Sequence, residues 1–311
     1  MRVLVTGSNG LCGSAIQRHC KNSQHEFIFV NSKQADLRST DEVAKLFSGF
    51  EPDYVIHTAA KVGGIIANMR YPEDFLHDNL MMNANVIRAC VKYKVDKLFA
   101  FSSVCVFSDN LTLLEEDKIN DGPVYEANAA YGYAKRMVDA HIKAAIKQHG
   151  VKNWCSIIPG NIFGFDDLFS IEKGHIIPAV MHKLFLAKQQ ETDLKMMGDG
   201  LSLREFIYVD DLAKIILNLL DLDVPDKIIV SGRSEMSIKD VVTLMAEAAD
   251  FKGNILWDPA SPNGQRSRPS SKIRINALLP DFEYTPVKEG LRQTWNWFVQ
   301  NYPNIRTDYS R

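Results

Sequence analysis

Short apolar runs alternate with amphipathic stretches through the first half of the chain. Arg2–Thr6, Glu26–Val30, Tyr54–His57, Lys97–Ser102 and Asn153–Ile158 read as strands. Between them, Leu11–Cys20, Ser39–Phe47, Leu76–Tyr93 and Tyr131–His149 space their apolar residues as helices do. Ser39-Thr40-Asp41-Glu42 has capping-box spacing, so the second helix should start there. This alternation predicts an α/β fold on a doubly wound parallel sheet, with any ligand at the strand C-termini. The second half is less regular. Val209–Leu222 is an amphipathic helix and Lys227–Val230 a further strand, and Ser237 should cap a helix through Ala249. Thr285-Pro286 reads as an N-cap followed by proline at the first helical position, opening a helix to about Asn301. Gly164–Lys173 and Asp258–Ser271 are rich in Gly, Pro, Ser and charge and read as loops.

Composition narrows the class. A chain of 311 residues exceeds the usual size of one compact domain. The boundaries read as a cofactor-binding lobe, 1–165 with return segments near 201–231, and a smaller C-terminal substrate-binding lobe, 166–200 and 232–311. Hydrophobic content of 46% and charged content of 24% fit a soluble globular protein. A net charge of −2 leaves no basic footprint for nucleic acid, and no apolar run is long enough to span a bilayer. The first apolar run reaches glycine too early for a signal peptide. The five cysteines, Cys12, Cys20, Cys90, Cys105 and Cys155, are scattered without a C-x-x-C pair. The expectation is reduced thiols in a cytoplasmic protein and no structural metal.

Gly7-Ser8-Asn9-Gly10-Leu11-Cys12-Gly13 stands between the first strand and the first helix as G-x-x-G-x-x-G. A tight turn, close approach to a pyrophosphate and close helix packing each require a residue without a Cβ. Helix-start amides then receive the phosphates. An acidic residue at the end of the second strand would select NAD through the ribose hydroxyl. Asn31-Ser32-Lys33 stands there instead and suits a 2′-phosphate, which favours NADP(H); a solvated surface lysine is the competing reading of Lys33. Asp36 and Leu37 are placed to lie against the adenine. Ala59 and Ala60 end the third strand with small side chains where the cofactor passes.

Tyr131 and Lys135 form Y-x-x-x-K, one helical turn apart on one face. An ammonium beside a phenol favours the phenolate, which makes the tyrosine a usable acid or base. Ser103 follows the fourth strand. Together the glycine turn, Ser103, Tyr131 and Lys135 resemble the extended short-chain dehydrogenase/reductases, whose sheet is Rossmann-like. Lys61-Val62-Gly63-Gly64-Ile65 with Asn68 and Asn79, Ser103-Val104-Cys105-Val106-Phe107, Pro159-Gly160-Asn161-Ile162-Phe163-Gly164, Gly174-His175-Ile176-Ile177-Pro178-Ala179 and Arg204–Asp211 resemble the GDP-L-fucose synthases in particular. Val104, Ser108 and Gly160 depart from that pattern.

The resemblance implies C3/C5 epimerisation and NADPH-dependent C4 reduction of a nucleotide-4-keto-sugar. It implies Tyr131 as proton donor, Ser103 and Lys135 as its helpers, Cys105 as base and His175 as acid. Pro159, Asn161 and Ile162 would border the cofactor. Asn161, His175, Lys183, Arg204 and Arg268 are the candidates for the nucleotide sugar. A homodimer through the helices Leu76–Tyr93 and Tyr131–His149 is also implied. A related enzyme on another nucleotide-4-keto-deoxysugar, and a non-catalytic NADP-binding sensor or scaffold, remain as alternatives.

Overall fold

The computed structural model describes residues 1–260 and 266–308. The first half folds as β1 (Arg2–Thr6), α1 (Leu11–His19), β2 (Glu26–Val30), α2 (Thr40–Phe50), β3 (Tyr54–His57), α3 (Ile65–Arg70), α4 (Pro72–Lys92), β4 (Lys97–Phe101), α5 (Ala129–His149) and β5 (Trp154–Pro159). The second half adds β6 (Asn161–Phe163), α6 (Ile176–Gln189), β7 (Leu194–Met197), β8 (Leu203–Tyr208), α7 (Val209–Leu219) and β9 (Lys227–Val230). It closes with β10 (Glu235–Ser237), α8 (Ile238–Ala248), β11 (Ile255–Asp258), α9 (Ile273–Leu278) and α10 (Val287–Asn301).

Six strands form one parallel sheet in the order β2-β1-β3-β4-β5-β9. Alternate strand residues serve opposite faces, as a two-residue period requires. Val3, Val5, Phe99 and Ile157 join α1 and α7 in one core, whereas Leu4, Leu98 and Ala100 join α2, α4 and α5 in the other. Both faces are therefore covered, which is why these strands read as apolar runs. The strand order reverses at β1, with β2 on one side and β3 on the other. Ligands of such sheets sit beyond the strand C-termini at that reversal. A third core, with Phe163, Phe169, Met181, Leu184, Met245, Leu291 and Phe298, gathers α6, α8 and α10. Two small sheets, β10-β8-β6 and β11-β7, adjoin it.

Several expected boundaries shift. Thr285 does not cap α10. Its amide and hydroxyl both bond Asp211, at 2.7 and 2.8 Å, and Pro286 takes the cap position. The capping box of α2 is half made: Ser39 Oγ accepts from the Glu42 amide, but the Glu42 carboxylate turns to the Asp36 amide. α4 begins at Pro72, four residues earlier than the apolar pattern shows, because Pro72, Glu73 and Asp74 fill its first turn without apolar signal. Part of the Asp258–Ser271 loop lies outside the described residues. Among the described residues no helix is long and apolar enough to cross a membrane.

Candidate active site

The glycine turn sits at the sheet's reversal. Gly7 has φ +75°, and a Cβ there would lie 2.7 Å from the Ala59 amide nitrogen. A Cβ on Gly13 would strike the Gly7 carbonyl. Both positions therefore exclude a side chain, and a Cβ on Gly10 would press on the Gly7 carbonyl at 3.3 Å. The turn is closed by Gly10 N–H to Gly7 O at 3.0 Å and is tied to the end of β2 by Ser8 N–H to Val30 O at 3.1 Å. Gly10 is the N-cap of α1, with no side-chain cap and no acidic residue in the first turn. Uncapped amides and the helix dipole there suit a phosphate. The cradle fits a dinucleotide pyrophosphate, and it packs against Ala59 at the end of β3.

The neighbouring candidates divide. Asn31 forms a turn of its own, with its side-chain oxygen accepting from the Lys33 amide, and Ser32 and Lys33 are left exposed. Leu37 is buried in the core, so its side chain cannot lie on an adenine; only its backbone is available there. Asp36 is held by three hydrogen bonds from the Arg38 guanidinium and one from its amide, and the guanidinium keeps the carboxyl below its ordinary range. Arg38 goes on to Asp78, which pairs with Lys61. Sequence reasoning passed over this ion-pair chain, because its members are far apart along the chain. Pro159 is buried in β5. Asn161 spends an amide hydrogen on the Glu205 carbonyl, 3.2 Å away.

Ser103 leaves β4 and caps a short 3₁₀ turn, Val104–Val106, by accepting from the Cys105 amide at 3.2 Å. α5 lies against this turn. A Cβ on Gly132 would meet the Cys105 carbonyl at 2.8 Å, so the glycine after Tyr131 permits the approach. Tyr131 lies near enough to Ser103 for the hydroxyl to act on its phenol, and its ring meets Phe75 edge-on at 6.3 Å. Burial pushes the phenol well above its ordinary range, the field of Cys105 adds to this, and Ser103 opposes it. Lys135 Nζ is bonded to the Phe101 carbonyl at 2.8 Å, and burial draws its ammonium down to about 8. Beside it, buried His57 bridges the Thr6 hydroxyl and Asn83, and burial holds it near 3, so it is neutral.

His175 stands on another element, exposed at the N-cap of α6. Its loop touches the Lys61–Ile65 segment, since the Gly64 amide bonds the Lys173 carbonyl at 2.8 Å. α3 starts there and packs on Glu126–Asn128. Asn128 in turn donates to the Cys105 sulfur at 3.2 Å. Buried Asp167 feels the field of His175, and burial raises its carboxyl. Neither Asn128 nor Asp167 gave a signal in the sequence beyond a position close to a motif.

Of the substrate candidates, Arg204 and Arg268 converge. Burial lowers both guanidiniums, Arg204 also feels Arg268, and each lies within the field of Cys105. Arg268 bonds the Phe107 and Ser108 carbonyls, each at 3.1 Å. Lys183 is half-buried on α6. Gly160, one of the departures, has a local reason: a Cβ would strike the Ser231 hydroxyl, which bonds buried Glu205 at 2.6 Å. Among the described residues no group of His, Cys, Asp or Glu could hold a metal ion.

Comparison with known proteins shows the family. Residues 3–231 match the family model described as the NAD dependent epimerase/dehydratase family. A GDP-L-fucose synthase of Dictyostelium discoideum is 37% identical over 98% of this chain and 97% of its own. A probable GDP-L-fucose synthase of Drosophila melanogaster is 32% identical over 98% and 99%. A crystal structure of a GDP-L-fucose synthetase from Naegleria fowleri bound to NADP superposes with a TM-score of 0.90. It is 36% identical and covers 98% of this chain and 94% of that one.

Proposed function

The chain belongs to the NAD dependent epimerase/dehydratase family, among the GDP-L-fucose synthases, and we propose that it converts GDP-4-keto-6-deoxy-D-mannose to GDP-L-fucose. The sugar is epimerised at C3 and C5 and then reduced at C4 with NADPH. The observation that carries this reading is one turn bearing both chemistries: Ser103 and Cys105 are two residues apart, and Tyr131 interacts with both.

Epimerisation exchanges protons beside the carbonyl. Cys105 as thiolate takes a proton from carbon, and the C–H electron pair moves onto the carbonyl oxygen as an enolate. Tyr131 and Ser103 hydrogen-bond that oxygen, and His175 returns a proton on the opposite face. Arg204 and Arg268 are placed to balance the diphosphate. NADPH held at the glycine turn would supply the hydride for reduction at C4. Tyr131, raised by burial, is fully protonated near neutral pH and gives its proton to the forming alkoxide. Lys135 would hold the nicotinamide ribose, with one donor already fixed on Phe101. These contacts gain strength as charge develops on oxygen, which is what accelerates the step.

The lobes carry the division of labour: 1–165 with the 201–231 segments bind NADP(H), and 166–200 with 232–311 bind the nucleotide sugar. The protein works in the cytoplasm as a homodimer paired through α4 and α5, where Tyr133 and Met137 stand exposed; sedimentation equilibrium tests the pairing. The test of the reaction is proton NMR of the 4-keto substrate in deuterated water. Cys105→Ser should suppress deuterium incorporation at C3 and C5 while NADPH still binds, and His175→Gln should leave epimerisation incomplete. Undiminished incorporation at both carbons in Cys105→Ser would remove the cysteine from the mechanism. It would leave a plain reductase.

A further inference from the structure

Asn128 stands at the N-cap of α5, three residues before Tyr131. Asparagine is among the best capping residues, because its oxygen accepts from an amide of the first turn, worth about 1 kcal/mol. Here the side chain makes no cap bond. It turns the other way, and its amide nitrogen donates to the Cys105 sulfur at 3.2 Å. Its oxygen is buried and, among the described residues, has no hydrogen-bond partner. A buried acceptor left unpaired is destabilising. The fold thus forgoes a cap and leaves an oxygen unsatisfied, and what the side chain does instead is bond the thiol.

The thiol is held from both sides. The Cys105 amide is fixed on Ser103 Oγ, which sets the turn, and Asn128 fixes the direction of the sulfur. An N–H donor is worth most to the ionised form, since hydrogen bonds to charged groups are the stronger ones. A thiol needs no such donor for packing. A thiolate that takes a proton from carbon needs one that yields as the negative charge leaves the sulfur.

We propose that Asn128 is a positioning residue for Cys105, donating its side-chain N–H to the sulfur and favouring the thiolate that performs epimerisation. The proposal rests on the reading of Cys105 as the base. Because α5 also carries Tyr131, the same helix start sets the distance between the epimerising sulfur and the reducing phenol.

The experiment labels the NADP-bound protein with iodoacetamide at neutral pH and follows the Cys105 peptide by mass spectrometry. In this reaction sulfur displaces iodide, so its rate follows the thiolate population. Asn128→Ala should slow labelling of Cys105 by about ten-fold or more, with labelling of the partly exposed Cys20 as the internal control. Deuterium incorporation at C3 and C5 should fall in parallel, through kcat with little change in KM. Asn128→Ser, which restores a donor and a good cap, should recover part of both rates. It also keeps the test open if the alanine variant folds poorly. Wild-type labelling of Cys105 in a folded Asn128→Ala protein that still exchanges normally would overturn the proposal, as would an Asn128→Ser protein that labels no faster than the alanine variant. Failure of the underlying reading looks different: Cys105→Ser would exchange normally, while Asn128→Ala would still slow the labelling.

Discussion

The behaviour of single residues in this protein is set by burial more than by sequence neighbours. Tyr131 and Lys135 read as a phenol activated by an ammonium. In the fold, burial raises the phenol and lowers the ammonium to about 8, and the ammonium is bonded to Phe101. Tyr131 is therefore a donor, and Tyr131→Phe should slow C4 reduction by about 10²–10⁴-fold while NADPH binding, read by fluorescence, is retained. His57 gives a second residue-scale expectation. Its imidazole is held at about 3 against an ordinary 6.5, chiefly by burial and then by Lys135. Between those values the unfolded chain binds more protons than the native one, so stability rises with pH across the window and is lost as pH falls below 6.5. His57→Gln keeps partners for Thr6 and Asn83. Urea unfolding should show it losing about 1–2 kcal/mol less than wild type between about pH 7 and about pH 5. Equal losses in the two proteins would show that His57 does not drive the acid response.

Two glycines show why an element cannot be judged by residue type alone. Gly13 lies in the first turn of α1, where a Cβ meets the Gly7 carbonyl; Gly49 lies in α2 with open space around it. Gly13→Ala should abolish NADPH binding by forcing the phosphate turn open. Gly49→Ala should raise stability by about 0.5–1 kcal/mol, since alanine loses less backbone entropy in a helix. Calorimetric binding and thermal unfolding of the pair check both signs. At the same scale, Lys97 at the start of β4 caps the end of α7 by donating to the carbonyls of Leu220 and Leu222 at 2.6 and 2.7 Å. Strand and helix pack through this lysine as well as through apolar side chains.

For the whole molecule, the cofactor should report on the fold. A ligand that binds only the native state at a hundred times its Kd adds about 2.7 kcal/mol. NADPH should therefore raise the unfolding midpoint more than NADH at equal concentration, because Ser32 and Lys33 stand exposed beside the phosphate turn. Lys33→Asp should erase that difference by weakening NADPH alone. Equal midpoint shifts for both cofactors in the wild type would assign the 2′-phosphate no role. Polar ties add to the apolar packing of α1 on the rest of the chain. Arg18 of α1 pairs with Asp166 and Asp210 and stacks over Phe165 at 5.0 Å.

The parallel sheet was legible in chain order alone, because strands covered on both faces are continuous apolar runs and their helices repeat at helical spacing. So were the glycine turn and the positions of Ser103, Tyr131 and Lys135, whose spacings are local; Cys105 stood out only through the family resemblance. Elements without a local signal stayed hidden. β6, β7, β8, β10 and β11 are short and gain their meaning from pairing with distant strands. Thr285 looked like a cap until Asp211, a distant residue, claimed it. Leu37 looked available to a cofactor until the core took it. Folding brought Arg204 and Arg268 to Cys105, turned Asn128 from its helix to the thiol and placed the Gly64–Lys173 contact beside His175. Each of these depends on through-space distance, which chain order does not encode. The charge states of Tyr131, Lys135 and His57 have the same origin, because desolvation depends on what surrounds a group in space.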